Sequence, residues 1–385
     1  MITLPSLSPP LKNQKGMALL VTLSIIAVIL AVSFEMNRRV RLRIMTTAQD
    51  KTEYILEETA RTGLEIAKAV LQQDASENHI DSVQDKWADP DFLNALITSL
   101  GYARETLSLT ITDELGKIQV NALVKEFPGH VINPEQRTIW ENLLSFFISK
   151  DKSEDERDPD EIINCLKDWL DSNDDDLITG VSGAESDYYQ SLSPPYDCAN
   201  RPIYDLNELF RVKGITKDFL AISQDMANFF SDMIGEVPDL TPEKLFTAFG
   251  AQHNVSKDKG IKKYNYPGKI NINTAPIPVI AAILPWGKQD LAVAIDAYRS
   301  EKSDESDEES FTNNLGRKGW YADAAGLTSE EKAAMEKKIT YRSHIFSVES
   351  QATANGQSLT LQNIILRKKD KNGKWYCKPL VQRIK

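Results

Sequence analysis

Asp171, Asn173 and Asp175 place oxygen-bearing side chains at every second residue. In a tight loop, alternate residues point toward one centre, and carboxylate and amide oxygens suit a hard cation that takes six to eight ligands. Asp174 and Asp176 add carboxylates within the same run, and Glu185 and Asp187 follow where they can close the shell from the far side. The run is not an EF-hand: its sixth position is Asp176 where glycine is required, and its twelfth is Ser182 where glutamate is required. Without a cation, this many carboxylates repel one another strongly in a low-dielectric setting. The expectation is a calcium-type site drawn from Asp171, Asn173, Asp174, Asp175, Asp176, Glu185 and Asp187, set against a merely solvated acidic loop.

Other chemistries find little support. The chain has no G-x-S-x-G, H-E-x-x-H, G-x-x-x-x-G-K-[ST] or G-x-G-x-x-G motif, so a non-enzymatic protein is expected. No C-x-x-C pair occurs among Cys165, Cys198 and Cys377, which argues against a thiolate zinc site. Cys165 and Cys198 flank the acidic loop, and the sequence leaves open whether they are bridged or unrelated thiols. The net charge of the 385 residues is -11. Residues 151–187 hold fourteen Asp/Glu against three Lys/Arg, a deficit equal to that of the whole chain. The charge is therefore one local feature, which speaks against a general affinity for nucleic acid. Ile270–Ala275 and the following helical text invite a helix-hairpin-helix reading, and a membrane-anchored nucleic-acid-binding protein is the alternative function. The link Leu284-Pro285-Trp286-Gly287-Lys288 has one glycine and acidic flanks, so a packing role is the better reading.

The elements that position the loop hang from an apolar stretch near the N-terminus. Eighteen residues from Met17 to Phe34 carry no charge and no proline, the lower limit for a membrane-spanning helix. Arg38, Arg39, Arg41 and Arg43 follow, opposing the positive-inside rule for a plain signal anchor. No small-residue cleavage site follows the apolar run, against a secretory signal peptide. A short hydrophilic leader ending in Lys15-Gly16 and joined directly to the run fits a prepilin-type signal cut at Gly16–Met17. No proline occurs from Met17 to Gln73, and Leu56, Ala60, Gly63, Leu64, Ala67, Val70 and Leu71 recur at three- and four-residue steps. One helix of about 55 residues, about 80 Å long, is expected.

Downstream, a short helix is read from Asp91 to Leu100. Leu107/Leu109/Ile111 and Ile118/Val120/Ala122 alternate with polar residues around Asp113–Gly116, a β-hairpin signature. Helices are read from Pro134, over EIINCLKDWL, from Ile203 to Phe230, near Thr241, from Thr274 and over KQDLAVAIDAYRS. Residues 343–366 and 375–384 read as two or three antiparallel strands with KKDKNGK as the last turn. Strands at the two ends can pair, making the helical block an insertion. The expected fold is α+β: a pilin-like long N-terminal helix on an antiparallel sheet, with a large inserted all-α domain. The expected divisions are a leader (1–16), a transmembrane helix (17–34), the helix and first strands (35–125), the insert with the acidic loop (126–335) and the C-terminal strands (336–385).

KGMALLVTLSIIAVILAV, DELGKIQVNAL, DWLDSNDD, GAESDYY, PPYDCANRPIYDLNELFRVKGI and KININTAP together resemble general secretion pathway protein K, the large minor pseudopilin of bacterial type II secretion. The resemblance runs from about Lys15 to Ser350. It implies a prepilin peptidase cut at Gly16–Met17, N-methylation of Met17, and calcium held by the acidic loop. It implies a single-pass protein of the inner membrane with its bulk in the periplasm, and partners in the I and J minor pseudopilins and the major pseudopilin. It also implies a place at the pseudopilus tip, where assembly for the export of folded proteins begins. Most pseudopilins carry glutamate at the fifth mature position; here that residue is Val21, as the resemblance to the K subunit implies. A carboxylate there needs a partner in the bilayer; a subunit without it needs no neighbour above.

Overall fold

The computed structural model describes residues 15–103, 106–148, 158–173, 183–216, 227–228, 230–232, 235, 240–253, 263–303 and 310–384. The leader residues 1–14, the acidic residues 174–176 and the charged run 304–309 lie outside these.

A single helix, α1 (Lys15–Glu77, 63 residues), spans about 95 Å at 1.5 Å per residue. Its apolar run and the turns after it are exposed along their whole length. From Leu56 onward the helix turns Leu56, Ala60, Leu64, Ala67 and Leu71 into one buried stripe, as their spacing predicts. Gly63 lies on that stripe because backbone must come close there: a Cβ at this position would sit 2.1 Å from Ser350 Oγ. Helix α2 (Pro90–Ser99) follows, opened by the Asp89 side chain, which accepts from the Asp91 and Phe92 amides.

The sheet beneath α1 has four antiparallel strands. The first, β1 (Leu107–Asp113), is separated in sequence from the other three by over two hundred residues. Between them the chain leaves the sheet. The alternation at Ile118–Val120 does not fold back on β1 as a hairpin. Instead Asp113 caps a short 3-10 turn at Glu114–Gly116, and β2 (Ile118–Gln119) pairs in parallel with β3 (Phe246–Thr247). The period-2 pattern identified a buried face but not the partner strand.

The inserted body then carries α3 (Pro134–Leu144), α4 (Pro159–Leu170), α5 (Ser186–Gln190), α6 (Pro242–Leu245), α7 (Ile277–Ile283), α8 (Leu291–Ser300), α9 (Trp320–Ala324) and α10 (Ser329–Lys338). Short pairs of strands lace it: β2 with β3, β4 (Gln252–His253) with β5 (Tyr264–Asn265), and β6 (Ile270–Asn271) with β7 (Ile339–Thr340). The insert is thus mainly helical rather than purely so. In the Ile203–Phe230 stretch a 3-10 turn at Leu206–Arg211 stands in place of the first helical segment, Gly214 turns with positive φ, and residues 217–226 lie outside the described residues while 227, 228 and 230 are helical; the text after Thr241 gives one helical turn before entering β3. Stacked rings anchor this core, Trp140 on Phe246 at 4.9 Å and Tyr298 on Trp320 at 5.4 Å. Each such buried side chain contributes roughly 1.5–3 kcal/mol.

The chain re-enters the sheet through β8 (Ile345–Ala354), β9 (Gln357–Lys369) and β10 (Trp375–Ile384), giving the order β1-β8-β9-β10. β1 and β8 pair from Leu107↔Ala352 to Asp113↔Phe346, so the two ends of the fold close on each other. Asn355-Gly356 turns β8 into β9 with positive φ at both residues, the backbone that a two-residue hairpin needs. One sheet face packs on α1 through Phe346, Val348, Leu361 and Ile365, and the other meets the insert through Ile345 and Ile364 against Leu115.

Candidate metal centre

Among the described residues, two groups of three carboxylates have oxygens within 4.8 Å of one another: Asp168/Asp171/Glu185 in the insert, and Asp74/Asp81/Asp85 where the insert joins the sheet.

The first group is built on the C-terminal turn of α4. Burial of Ile162, Ile163, Leu166, Trp169 and Leu170 fixes one face of this helix in the insert core. Lys167, Asp168 and Asp171 then occupy the last turn, all buried. Asp168 accepts from the Ala184 amide at 3.0 Å, which draws the far side of the loop in, and it lies 3.2 Å from the Lys167 ammonium. Lys167 also pairs with Asp171. Glu185, at the start of α5, is buried beside them. Ser172 ties the same turn to Gly129, whose amide it accepts at 2.7 Å. The ring of Tyr189 against Trp169, centroids 5.0 Å apart, seats α5 on α4.

Burial pushes the Asp171 carboxyl above its ordinary range, only partly offset by Lys167. Burial pulls the Lys167 ammonium down, but Asp171 and Asp168 outweigh it and leave the net shift upward. Lys167 thus pairs with both Asp168 and Asp171, and Glu185 lies beside them. The Asn173 side-chain oxygen is buried without a hydrogen-bond donor among the described residues. Carboxylates plus an unengaged amide oxygen form the donor set of a hard divalent cation.

Of the residues expected from sequence, Asp171, Asn173 and Glu185 are in or beside this cluster; Asp174, Asp175 and Asp176 lie outside the described residues. Asp187 is exposed and outside the cluster, because α5 turns it away from Glu185 toward solvent. Sequence reading missed Asp168, which sits within an amphipathic helix and resembles its polar face. Its three-residue step to Asp171, one helical turn, was the available signal. Cys165 and Cys198 are both buried; Cys198 Sγ lies 3.5 Å from the Asp168 carbonyl oxygen.

The second group was not foreseen as a site. Arg367 of β9 is buried between Asp74 of α1, at 2.8 Å, and Asp81. Asp85 accepts from Asn78 Nδ2 and the Ser82 amide, both at 2.7 Å. Asp81 also accepts from the Ser343 amide. Next to it, Asp113 Oδ2 accepts from Asn271 Nδ2, Thr274 Oγ1 and Ser343 Oγ, linking β1, the insert and the approach to β8. Burial raises Asp74 to about 7, and Asp85 and Asp113 each to about 6. Arg367 and these donors fill the space, so the cluster acts as an internal lock rather than a ligand site.

The segment weighed for nucleic acid resolves into α7, the Leu284–Lys288 link and α8. Lys288, the basic residue of the link, is paired with Glu331 at 2.7 Å, so it is engaged within the fold. At the other end of the molecule, Met17, Val21 and the rest of the apolar run are exposed on α1.

Residues 116–222 match the family model for type II secretion system (T2SS), protein K. A putative type II secretion system protein K of Escherichia coli K12 is 26% identical over 208 residues, 54% of this chain and 59% of that relative's length. The type II secretion system protein K of Pseudomonas aeruginosa is 25% identical over 318 residues, covering 80% of this chain and 79% of the relative. Against the solved GspK-GspI-GspJ complex from the enterotoxigenic Escherichia coli Type 2 Secretion System, the fold superposes with a TM-score of 0.53 at 15% identity. That match covers 88% of this chain and 99% of the solved one.

Proposed function

We propose that this chain, a relative of type II secretion system protein K and a minor pseudopilin, stands at the tip of a pseudopilus and starts its assembly. The observation that carries the reading is the division of α1. Its start, Met17–Phe34, is apolar and exposed, and from Leu56 onward it is the buried spine of a sheet domain. Such a helix suits storage in a bilayer and later packing among like helices in a fibre. The large insert between β1 and β8 makes the soluble end bulky, which favours a terminal over a repeating position.

In this reading a prepilin peptidase cuts at Gly16–Met17 and Met17 is N-methylated. The inner membrane holds residues 17–34, and the bulk lies in the periplasm. Val21 leaves no carboxylate to be neutralised by a subunit above it. The I and J minor pseudopilins, named in the superposed complex, are the expected immediate partners, with the major pseudopilin below. The role is structural. Asp168, Asp171, Asn173 and Glu185 would hold calcium, whose preference for clustered carboxylate and amide oxygens matches this donor set.

The decisive test is Gly16→Leu in the full chain, with the N-terminus of membrane-extracted protein sequenced. The unchanged chain is expected to begin at Met17, and the variant to keep its leader and fail to support secretion. Normal processing of the variant would remove the prepilin reading.

A further inference from the structure

The arginines after the apolar run have no role in the assembly described above. Arg38, Arg39, Arg41 and Arg43 are all exposed on α1. Arg39 pairs with Glu35 at 2.8 Å. Arg41 and Arg43 have no carboxylate three or four residues away in either direction, and no ion pair among the described residues. At about 100° per residue, the four side chains leave the helix at roughly 0°, 100°, 300° and 140°, spread over about 200° of its circumference, a partial collar wider than one face. A collar does not suit one flat protein partner; it suits a medium that surrounds the helix.

The dimensions identify that medium. Met17–Phe34 would span about 27 Å, close to the roughly 30 Å hydrocarbon core of a bilayer. The arginines begin about 6 Å beyond Phe34 and end about 14 Å beyond it. The headgroup layer is about 5–8 Å thick, and arginine side chains reach back along the helix into it. Cleavage at Gly16 would remove Lys12 and Lys15, leaving no basic side chain before Met17. The basic excess then lies wholly on the side of the soluble body, against the positive-inside bias. Contacts that offset this exist in the adjacent leaflet, since guanidinium forks match phosphate oxygens bidentately.

We infer that the Arg38–Arg43 collar binds the phosphates of anionic glycerophospholipid in the leaflet facing the soluble body, fixing the depth at which the subunit is stored. This rests on the membrane-anchored reading above. The bound phosphates hold the helix against sliding toward either side until assembly withdraws it.

The test presents the detergent-purified full chain to a mixture of two separable vesicle populations, phosphatidylcholine alone and phosphatidylcholine with phosphatidylglycerol. Protein is counted in each after flotation. The expected result is a preference for the anionic vesicles, roughly fivefold per engaged arginine. The Arg38→Gln/Arg41→Gln/Arg43→Gln variant should lose that preference, and the corresponding lysine variant should keep part of it. Inorganic phosphate should compete no better than chloride at equal ionic strength. Equal partition of the unchanged chain, or an undiminished preference in the glutamine variant, overturns the inference. Stronger competition by inorganic phosphate overturns it too, assigning the collar to free phosphate. Failure of the chain to resist carbonate extraction from either population overturns the anchored reading itself, a result separable from loss of lipid preference. Circular dichroism of the variants checks that α1 still forms.

Discussion

The two carboxylate triads use the same chemistry and reach opposite ends. At the sheet junction, Asp74 and Asp81 face Arg367, a cation delivered by strand β9 and itself buried. In the insert, Asp168 and Asp171 share Lys167 from their own helix, with Glu185 packed beside them. The junction draws its oxygens and its cation from α1, the loop after it and β9, so closing the salt bridges closes the fold. The loop cluster draws on one helix end and on the segment around Ala184 and Glu185, and adjoins three further aspartates in sequence. The lock takes its cation from a distant strand; the loop cluster takes Lys167 from its own helix and sets beside it the buried, unengaged Asn173 oxygen. Removing the internal cation from each distinguishes the two.

Arg367→Met should have the largest effect. It strands buried Asp81 and nearly buried Asp74 without a counter-charge, a change that typically costs about 3–5 kcal/mol. Thermal unfolding should show the loss with or without calcium. A loss that calcium restores would mean that the junction, too, is a metal site.

The complementary change is Lys167→Met. In chelator it should destabilise the insert; with calcium, the protein should regain stability as a divalent ion takes over the neutralisation. For the unchanged protein, calcium at a hundredfold excess over its dissociation constant should add about 2.7 kcal/mol. Asp168→Asn should remove most of that gain. Equal melting temperatures in calcium and in chelator would return the cluster to a purely structural role.

The contrast also shows how far the sequence could be read. The long helix was legible because Leu56, Ala60, Leu64, Ala67 and Leu71 leave one stripe, whatever lies opposite. The closure of the fold by β1 on β8 was anticipated, yet the neighbouring hairpin was misread for the same physical reason. Alternation at Leu107–Ile111 and Ile118–Val120 reports burial, while the partner is chosen by Asp113, whose cap on Leu115 sends the chain out of the sheet. Local spacing pointed to Asp171 and Asn173, which lie in or beside the carboxylate cluster. It did not point to Asp168, whose helix phase hid it from the loop pattern, and it included Asp187, which α5 leaves exposed and outside the cluster. The Arg367 lock joins positions nearly three hundred residues apart, a distance over which no spacing rule operates.

Asp113→Asn tests the junction where it holds no salt bridge. Asp113 Oδ2 accepts from three side-chain donors, while Oδ1 accepts from the Leu115 amide. An amide group must turn its NH2 toward one of these sets, leaving donors facing donors. A loss of about 2 kcal/mol is expected, without any change in the calcium increment. Loss of that increment would mean that junction and loop are one cooperative unit.

The smallest effect separates the two triads by the sign of their response to acid. Burial, then Asp85 and Asp81, lift the Asp74 carboxyl to about 7 despite Arg367. An unfolded aspartate titrates near 4. Between those values the folded chain holds a proton that the unfolded chain does not, so stability must rise as pH falls and fall as pH rises. From pH 7.5 to 6.5, Asp74 alone should add about half to one kcal/mol, and Asp74→Asn should remove most of the slope, leaving the smaller part that Asp85 and Asp113, each raised to about 6, contribute. The loop behaves oppositely when calcium is present. Burial also raises Asp171, so protons compete with the ion and the calcium increment shrinks on acidification. Unfolding in denaturant at both pH values, with and without calcium, reads both signs in one experiment. Parallel slopes in the two conditions would show that calcium and protons do not compete at Asp171 in this pH range.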